Sequence, residues 1–241
     1  MKIKNKERVC NCCGEVGHYG GKLKAENESK PKDGWFRLYW ENDQLRYEWE
    51  YKDGQRADGI SKGWHKNGQL KCEFTWKDGK QNGLAITWYE NGQKKMERTF
   101  KDGKREGLWT LYENGQKELE GIYKDGKMDG LGTGWYDNGQ KKLERNYKDG
   151  KLDGLGTGWY DNGQKKKEVS YKDGKLDGLG TGWYDNGNKK YEGTYKDGKP
   201  DGLWTYWYEN GQKKSEVTYK NGKKNGKWTT WYKDGTKIRE V

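Results

Sequence analysis

Three cysteines and a histidine near the N-terminus have the types, and part of the spacing, needed to hold a metal ion. Cys10, Cys13 and His18 stand at Cys-x2-Cys-x4-His, with Cys12 beside them. Thiolate and imidazole groups spaced in this way favour tetrahedral zinc. A further step of the same kind ends on Leu23, which cannot ligate. Cys12 is the nearest substitute, and His65 and Cys72 are the only other histidine and cysteine in the chain. The competing reading makes Cys10, Cys12 and Cys13 small apolar residues that cap the segment after them. Zinc is the one cofactor the sequence raises.

The rest of the chain offers little to a catalyst. His18 and His65 are its only histidines, and Glu120, Glu144, Glu168, Glu192 and Glu216 recur once per repeat among lysines. That distribution suits solvated cross-strand pairs rather than a convergent acid and base. The Asp-Gly-Lys turns lack the spacing and following helix of a phosphate loop. The expectation is that the protein is not an enzyme. The segment around Cys10 to Leu23, with Gly14 and Gly17, resembles a zinc knuckle that lacks its last ligand.

What positions these residues is a period. LGTGWYDNGQKKKEVSYKDGKLDG, from Leu155 to Gly178, recurs from Gly34 onward, and its turn glycine falls at Gly68, Gly92, Gly115, Gly139, Gly163, Gly187, Gly211 and Gly235. Every step is 24 residues except one of 23. Periods of this size mean stacked units that bury their apolar side chains against their neighbours. Hydrophobic residues make up only 29% of the chain, too few for a thick two-layer core. Fourteen tryptophans and 18 tyrosines supply large rigid surfaces instead, which argues for a thin folded layer over disorder. The formal charge of +11 is spread rather than clustered: from Gly130 to Asp153, five cations face four acids. A solvated mixed-charge surface explains this better than a track for phosphates.

Asn-Gly between strand-like runs is the strongest short-range hairpin signal, so a two-residue type I′ turn is expected at Asn162-Gly163. Pairing outward sets Tyr160 against Lys165, Trp159 against Lys166, Gly158 against Lys167 and Gly156 against Val169. One face then carries Leu155, Thr157 and Trp159. The other carries Gly156, Gly158 and Tyr160, with Val169 and Tyr171 lying over the two glycines. Lys172 to Gly178 reads as a longer turn holding two Asp-Gly pairs. The first copy lacks its turn glycine at Asn42-Asp43 and the fourth is one residue short before Gly115, so both are expected to be irregular. The fold class is all-β: an elongated single-layer array of about nine antiparallel β-hairpins over residues 34–241, behind a short N-terminal cap of residues 1–33.

YKDGKLDGLGTGWYDNGQ resembles a MORN repeat, in the variant form of the bacterial YwqK antitoxin-like family, and the likeness covers residues 34 to 241. It implies a non-catalytic scaffold that binds proteins or membranes, with an antitoxin-like inhibitor of a toxin or nuclease as its most specific form. The expected partner is another protein. Nucleic acid or an anionic membrane, met by the basic aromatic sheet, and a glycan stacked on the recurring Trp and Tyr rings remain as alternatives. Tyr136, Tyr160, Tyr184 and Tyr208, with Lys142, Lys166, Lys190 and Lys214, are the candidate partner-binding residues. No stretch is apolar enough for a membrane span or a signal peptide, and the crowded cysteines are unlike a secreted disulfide framework, so a cytoplasmic location is expected. The excess of Lys over Arg fits an AT-rich bacterial genome.

Overall fold

The computed structural model describes residues 24–25 and 31–240. Among these there is no helix, and the paired strands run antiparallel. The chain divides into two compact units, Met1–Gln116 and Lys117–Val241. The first contains the hairpins Gly34–Tyr39/Leu45–Lys52, Gly59–Trp64/Leu70–Lys77 and Lys80–Trp88/Lys94–Lys101, and it opens a fourth whose strands are Lys104–Glu113 and Gln116–Lys124. In the second come Lys127–Trp135/Lys141–Lys148, Lys151–Trp159/Lys165–Lys172, Lys175–Trp183/Lys189–Lys196, Gly202–Trp207/Lys213–Lys220 and Lys223–Trp231/Lys237–Glu240. The expected hairpin array is therefore present, with nine hairpins among the described residues.

The two turn types are exchanged relative to expectation. At Asn162-Gly163 only the glycine has a positive φ, 84°. Gly163 N–H bonds the Tyr160 carbonyl at 3.0 Å, and Tyr160 N–H bonds the Gln164 carbonyl at 2.8 Å. Three residues close this turn, and the register shifts so that Trp159 faces Lys165 rather than Lys166. The cause is the Asn162 side chain, whose Oδ1 accepts from Gln164 N–H at 3.0 Å and so prefers an ordinary right-handed backbone. The type I′ turn sits instead at the other end. Asp173 and Gly174 have φ of 50° and 86°, and Lys172 faces Lys175 directly. The second Asp-Gly pair, Asp177-Gly178, lies in a bulge that separates the pair Tyr171 and Leu176 from the pair Val169 and Gly180.

Of the two copies expected to be irregular, the first keeps the common turn and the fourth departs from it. In the first, Asp43 takes the positive φ, 61°, and Asp43 N–H still bonds the Trp40 carbonyl at 3.0 Å. In the fourth, the missing residue leaves Asn114 and Gly115 alone between strands, and their φ values of 50° and 78° are those of a type I′ turn. A deletion has been absorbed by changing the turn type.

The edges of the array are tied from repeat to repeat. On the Asp-Gly side, Asp173 N–H donates to Asp153 Oδ2 at 3.2 Å and Gly174 N–H to the Leu152 carbonyl at 2.7 Å. On the Asn-Gly side, Asn162 Nδ2 donates to the Asp185 carbonyl at 3.0 Å, and Asn138, Asn186 and Asn210 repeat the bond. These bonds satisfy turn groups that would otherwise rely on water.

The apolar side chains gather on the face of the paired glycines. In the first unit, Tyr47, Cys72, Phe74, Ala85 and Phe100 form the core, with Cys72 and Phe74 fully buried. Trp204, Val169 and Val217 are buried in the second, where Tyr195 meets Trp204 edge-on at 4.8 Å between ring centres. Gly193 has no side chain because the Trp204 indole fills the space beside it. The glycine covers differ in part from expectation. Tyr171 does lie over Gly156, 2.9 Å from where a Cβ would stand, but Gly158 is flanked by the Lys167 stem at 3.5 Å. The opposite face carries Leu131, Leu155, Leu179 and Leu203, which are 40 to 57% exposed.

Candidate functional site: a repeated lysine and aromatic edge

Cys10, Cys12, Cys13 and His18 lie outside the described residues. Among the described residues no three histidine, cysteine, aspartate or glutamate side chains converge as a metal site would need. His65 and Cys72 have separate places. Cys72 is a free thiol in the first unit's core. His65 donates through Nε2 to the Trp88 carbonyl at 3.0 Å, while its Nδ1 stands 3.8 Å from Glu90 Oε1.

That bond shows what the position of His65 is for. In seven of the nine hairpins the ring after the first strand donates to a carbonyl of the next hairpin. Trp40 donates to Trp64 at 3.2 Å, Tyr89 to Tyr112 at 3.1 Å, and Tyr136, Tyr160, Tyr184 and Tyr208 donate to Trp159, Trp183, Trp207 and Trp231 at 2.8 to 3.0 Å. Each bond contributes about 1 kcal/mol net. The hydroxyls of the four candidate tyrosines are thus committed to holding the array together. What they offer a partner is a ring face. Burial, with help from Asp185 and Glu209, raises the Tyr160 hydroxyl above the ordinary tyrosine value, and burial with Glu209 does the same at Tyr184.

The structure brings the candidate lysines to those rings. Lys142, Lys166, Lys190 and Lys214 place their ammonium groups 5.2 to 5.6 Å from the ring centres of Tyr136, Tyr160, Tyr184 and Tyr208. A cation over an aromatic face gains about 0.5 to 1 kcal/mol at exposed sites, enough to bias the side chain without burying it. The preceding lysine behaves differently. Lys165 bonds Glu168 at 2.6 Å and leans over Trp183 of the next hairpin at 5.7 Å; Lys189 and Lys213 repeat both contacts with Glu192 and Trp207, and with Glu216 and Trp231. The bulge beside Trp159 puts Lys165 and Glu168 on one side of the strand, so the recurring glutamates are spent on these pairs. Among the described residues no carboxylate is in salt-bridge contact with Lys142, Lys166, Lys190 or Lys214. The outcome is a row of four cations, one per hairpin, about 10 Å apart from the two-strand spacing.

Two features of the surface bear on chemistry. Turn amides on the Asp-Gly side already have acceptors in the preceding hairpin, so they cannot cradle a phosphate. The second feature, missed from the sequence, is the row of exposed leucines. Its signal was a leucine directly after the positive-φ glycine in repeat after repeat, as at Gly154-Leu155 and Gly178-Leu179.

Seven stretches match the MORN repeat variant, at residues 32–53, 57–78, 81–102, 128–149, 152–173, 176–197 and 200–221. Between the third and fourth lies the hairpin with the shortened turn. Among curated proteins none matches. A chain in a crystal structure of TcdB2-TccC3-Cdc42 is 13% identical over 82% of this chain, with a TM-score of 0.20, and this chain spans 14% of its length.

Proposed function

The chain belongs to the MORN repeat variant family, and on that premise we propose that it is a non-catalytic scaffold that binds an acidic surface of another protein. Repeats of this family commonly bind proteins or membranes. The observation that carries the reading is the row Lys142, Lys166, Lys190 and Lys214, four cations held over tyrosine faces with no carboxylate in salt-bridge contact among the described residues. A preformed row spreads its contacts over several hairpins and lowers the ordering cost of association. On the antitoxin-like resemblance we propose that this partner is a toxin or nuclease inhibited by being covered, met in a bacterial cytoplasm.

A second reading is favoured by a different row. On the Asp-Gly edge Lys148 faces Lys151, Lys172 faces Lys175, Lys196 faces Lys199 and Lys220 faces Lys223, and such opposed cations suit nucleic acid or an anionic membrane. Salt titration separates the two. Crosslinking capture from the host should recover a protein whose affinity falls only moderately between low and physiological salt. Tight binding of random single-stranded RNA or anionic vesicles at physiological salt, with a slope of about six or more released counterions, would put the second reading first.

A further inference from the structure

Asparagine loses its side-chain amide most readily before glycine, which has no side chain to shield the following amide nitrogen. Ten Asn-Gly pairs occur in the chain. In six of them, at Asn67, Asn91, Asn138, Asn162, Asn186 and Asn210, the three-residue turn holds every group that the reaction needs. The glycine N–H donates to the carbonyl three residues back at 2.9 to 3.0 Å, Oδ1 accepts from the N–H two residues on at 3.0 to 3.1 Å, and Nδ2 donates at 2.8 to 3.2 Å. Elsewhere, Gly222 N–H donates to the Pro200 carbonyl at 2.9 Å and Gly83 faces Phe100 within the ladder. Asn225-Gly226 lies in an exposed bulge of different sequence. Asn114-Gly115 differs from the six and has a matched control. Tyr89 to Gln93, Tyr112 to Gln116 and Tyr208 to Gln212 all read Tyr-Glu-Asn-Gly-Gln. The shortened fourth copy folds those same five residues around a two-residue turn, with Asn114 and Gly115 exposed at φ of 50° and 78°. Among the described residues the Asn114 side chain makes no hydrogen bond and Gly115 N–H has no acceptor.

We infer that Asn114 is a site of self-modification, where the side-chain amide is lost and the chain acquires aspartate and isoaspartate. Gly115 N loses its proton and attacks Asn114 Cγ. The new N–Cγ bond forms as the Cγ–Nδ2 bond breaks, and Nδ2 takes up protons and leaves as ammonia. Water then opens the cyclic imide at either carbonyl, so water is the one co-reactant and nothing is oxidised or reduced. An N–H already given to a carbonyl loses its proton less readily, and an amide held through both Oδ1 and Nδ2 must be released before Cγ can approach. Asn91 and Asn210 are restrained in both ways, and Asn114 in neither. Because the five-residue sequence is the same at all three, the turn alone separates them. Either product adds a negative charge at an exposed edge, and isoaspartate also lengthens the main chain of a turn that has only two residues. The reaction needs no partner, so the inference stands apart from the proposed binding function.

The test incubates the full folded chain at neutral to mildly alkaline pH and digests it in acid, so that no further amide is lost. Each Asn-Gly peptide is then followed by mass spectrometry and by labelling with an isoaspartate O-methyltransferase. A parallel incubation in denaturing urea gives the rate that the sequence alone sets, and there Asn91, Asn114 and Asn210 should react alike. In the folded chain Asn114 should stay within a few fold of that rate. Asn91 and Asn210 should slow by about tenfold or more, since they react only from locally opened states. Inserting isoleucine after Trp109 restores the length of the fourth copy and should bring Asn114 down to the rate of Asn91. Equal rates at the three asparagines in the folded chain, or a slower rate at Asn114, would overturn the inference. So would an insertion variant that is folded by circular dichroism yet leaves Asn114 as fast as before.

Discussion

Gly134, Gly158 and Gly182 occupy one place in three successive hairpins, facing Leu143, Lys167 and Tyr191. None of them has a positive φ, so alanine is acceptable to the backbone at each. A methyl group at Gly158 would stand 3.5 Å from Lys167 Cγ, an ordinary contact, while at Gly182 it would lie 2.5 Å from Tyr191 Cζ and 2.8 Å from Cδ1. Replacing glycine stabilises by about 0.4 to 1 kcal/mol through the unfolded chain, and this gain is common to both sites. The clash with the Tyr191 ring costs about 1 to 3 kcal/mol and belongs to Gly182 alone. Gly158→Ala should therefore be neutral to stabilising. Gly182→Ala should fall below it by about 1 to 3 kcal/mol, or roughly 2 to 12 °C in Tm for a chain of this length. Repeat arrays need not unfold in two states, so urea midpoints should be read together with hydrogen exchange in Lys189–Lys196. Tyr191→Leu in the Gly182→Ala background should recover part of the loss. Equal effects at the two glycines, or no coupling to Tyr191, would refute the assignment of covers.

Asn162→Ala removes both the Gln164 and Asp185 bonds and should cost about 1 to 2 kcal/mol in urea unfolding, with Asn162→Asp, which keeps the acceptor, intermediate. Burial holds the hydroxyls of Tyr160, Tyr184, Tyr191, Tyr195 and Tyr206 above their ordinary value of 10.0. Their contribution should be intact below about pH 10 and lost as pH rises through the folded-state values, so urea midpoints should drop above pH 10 as phenolate absorbance appears. With Leu23 at the fourth knuckle position, elemental analysis of untagged protein should show well under one zinc per chain. A full equivalent that disappears in Cys13→Ser would instead make Cys10, Cys13 and His18 a site.

The period was legible in the sequence because turn glycines and aromatic residues repeat with almost no insertion. Strand pairing at Gly156, Thr157 and Gly158 followed from it. Turn chemistry was less legible, since Asn-Gly and Asp-Gly are both favoured in two-residue turns, and the bond from Asn162 Oδ1 to Gln164 decided between them. That choice moved the lysines by one place: Lys165 rather than Lys166 faces Trp159, and Lys165 takes Glu168 as its partner. The cover over each glycine depends on the residue that fills the facing position, which changes from leucine to lysine to tyrosine along the second unit. The commitment of the tyrosine hydroxyls to the next hairpin was hidden, because it depends on how repeats stack rather than on any one repeat. So was the exposure of Leu155, because alternation along a strand assigns its face without showing that the face stays uncovered.

Function residing in a row shared by several hairpins, and in no single residue, has a measurable signature. Affinity for the captured protein partner should be followed as Lys142, Lys166, Lys190 and Lys214 are changed to glutamate, one at a time and then together. Each change should lose a few fold and all four together at least a hundredfold, with the fold unaltered, because rim charges contribute modestly and add when well separated. Complete loss from one substitution alone, or unchanged affinity in the fourfold variant, would contradict a function shared along the row.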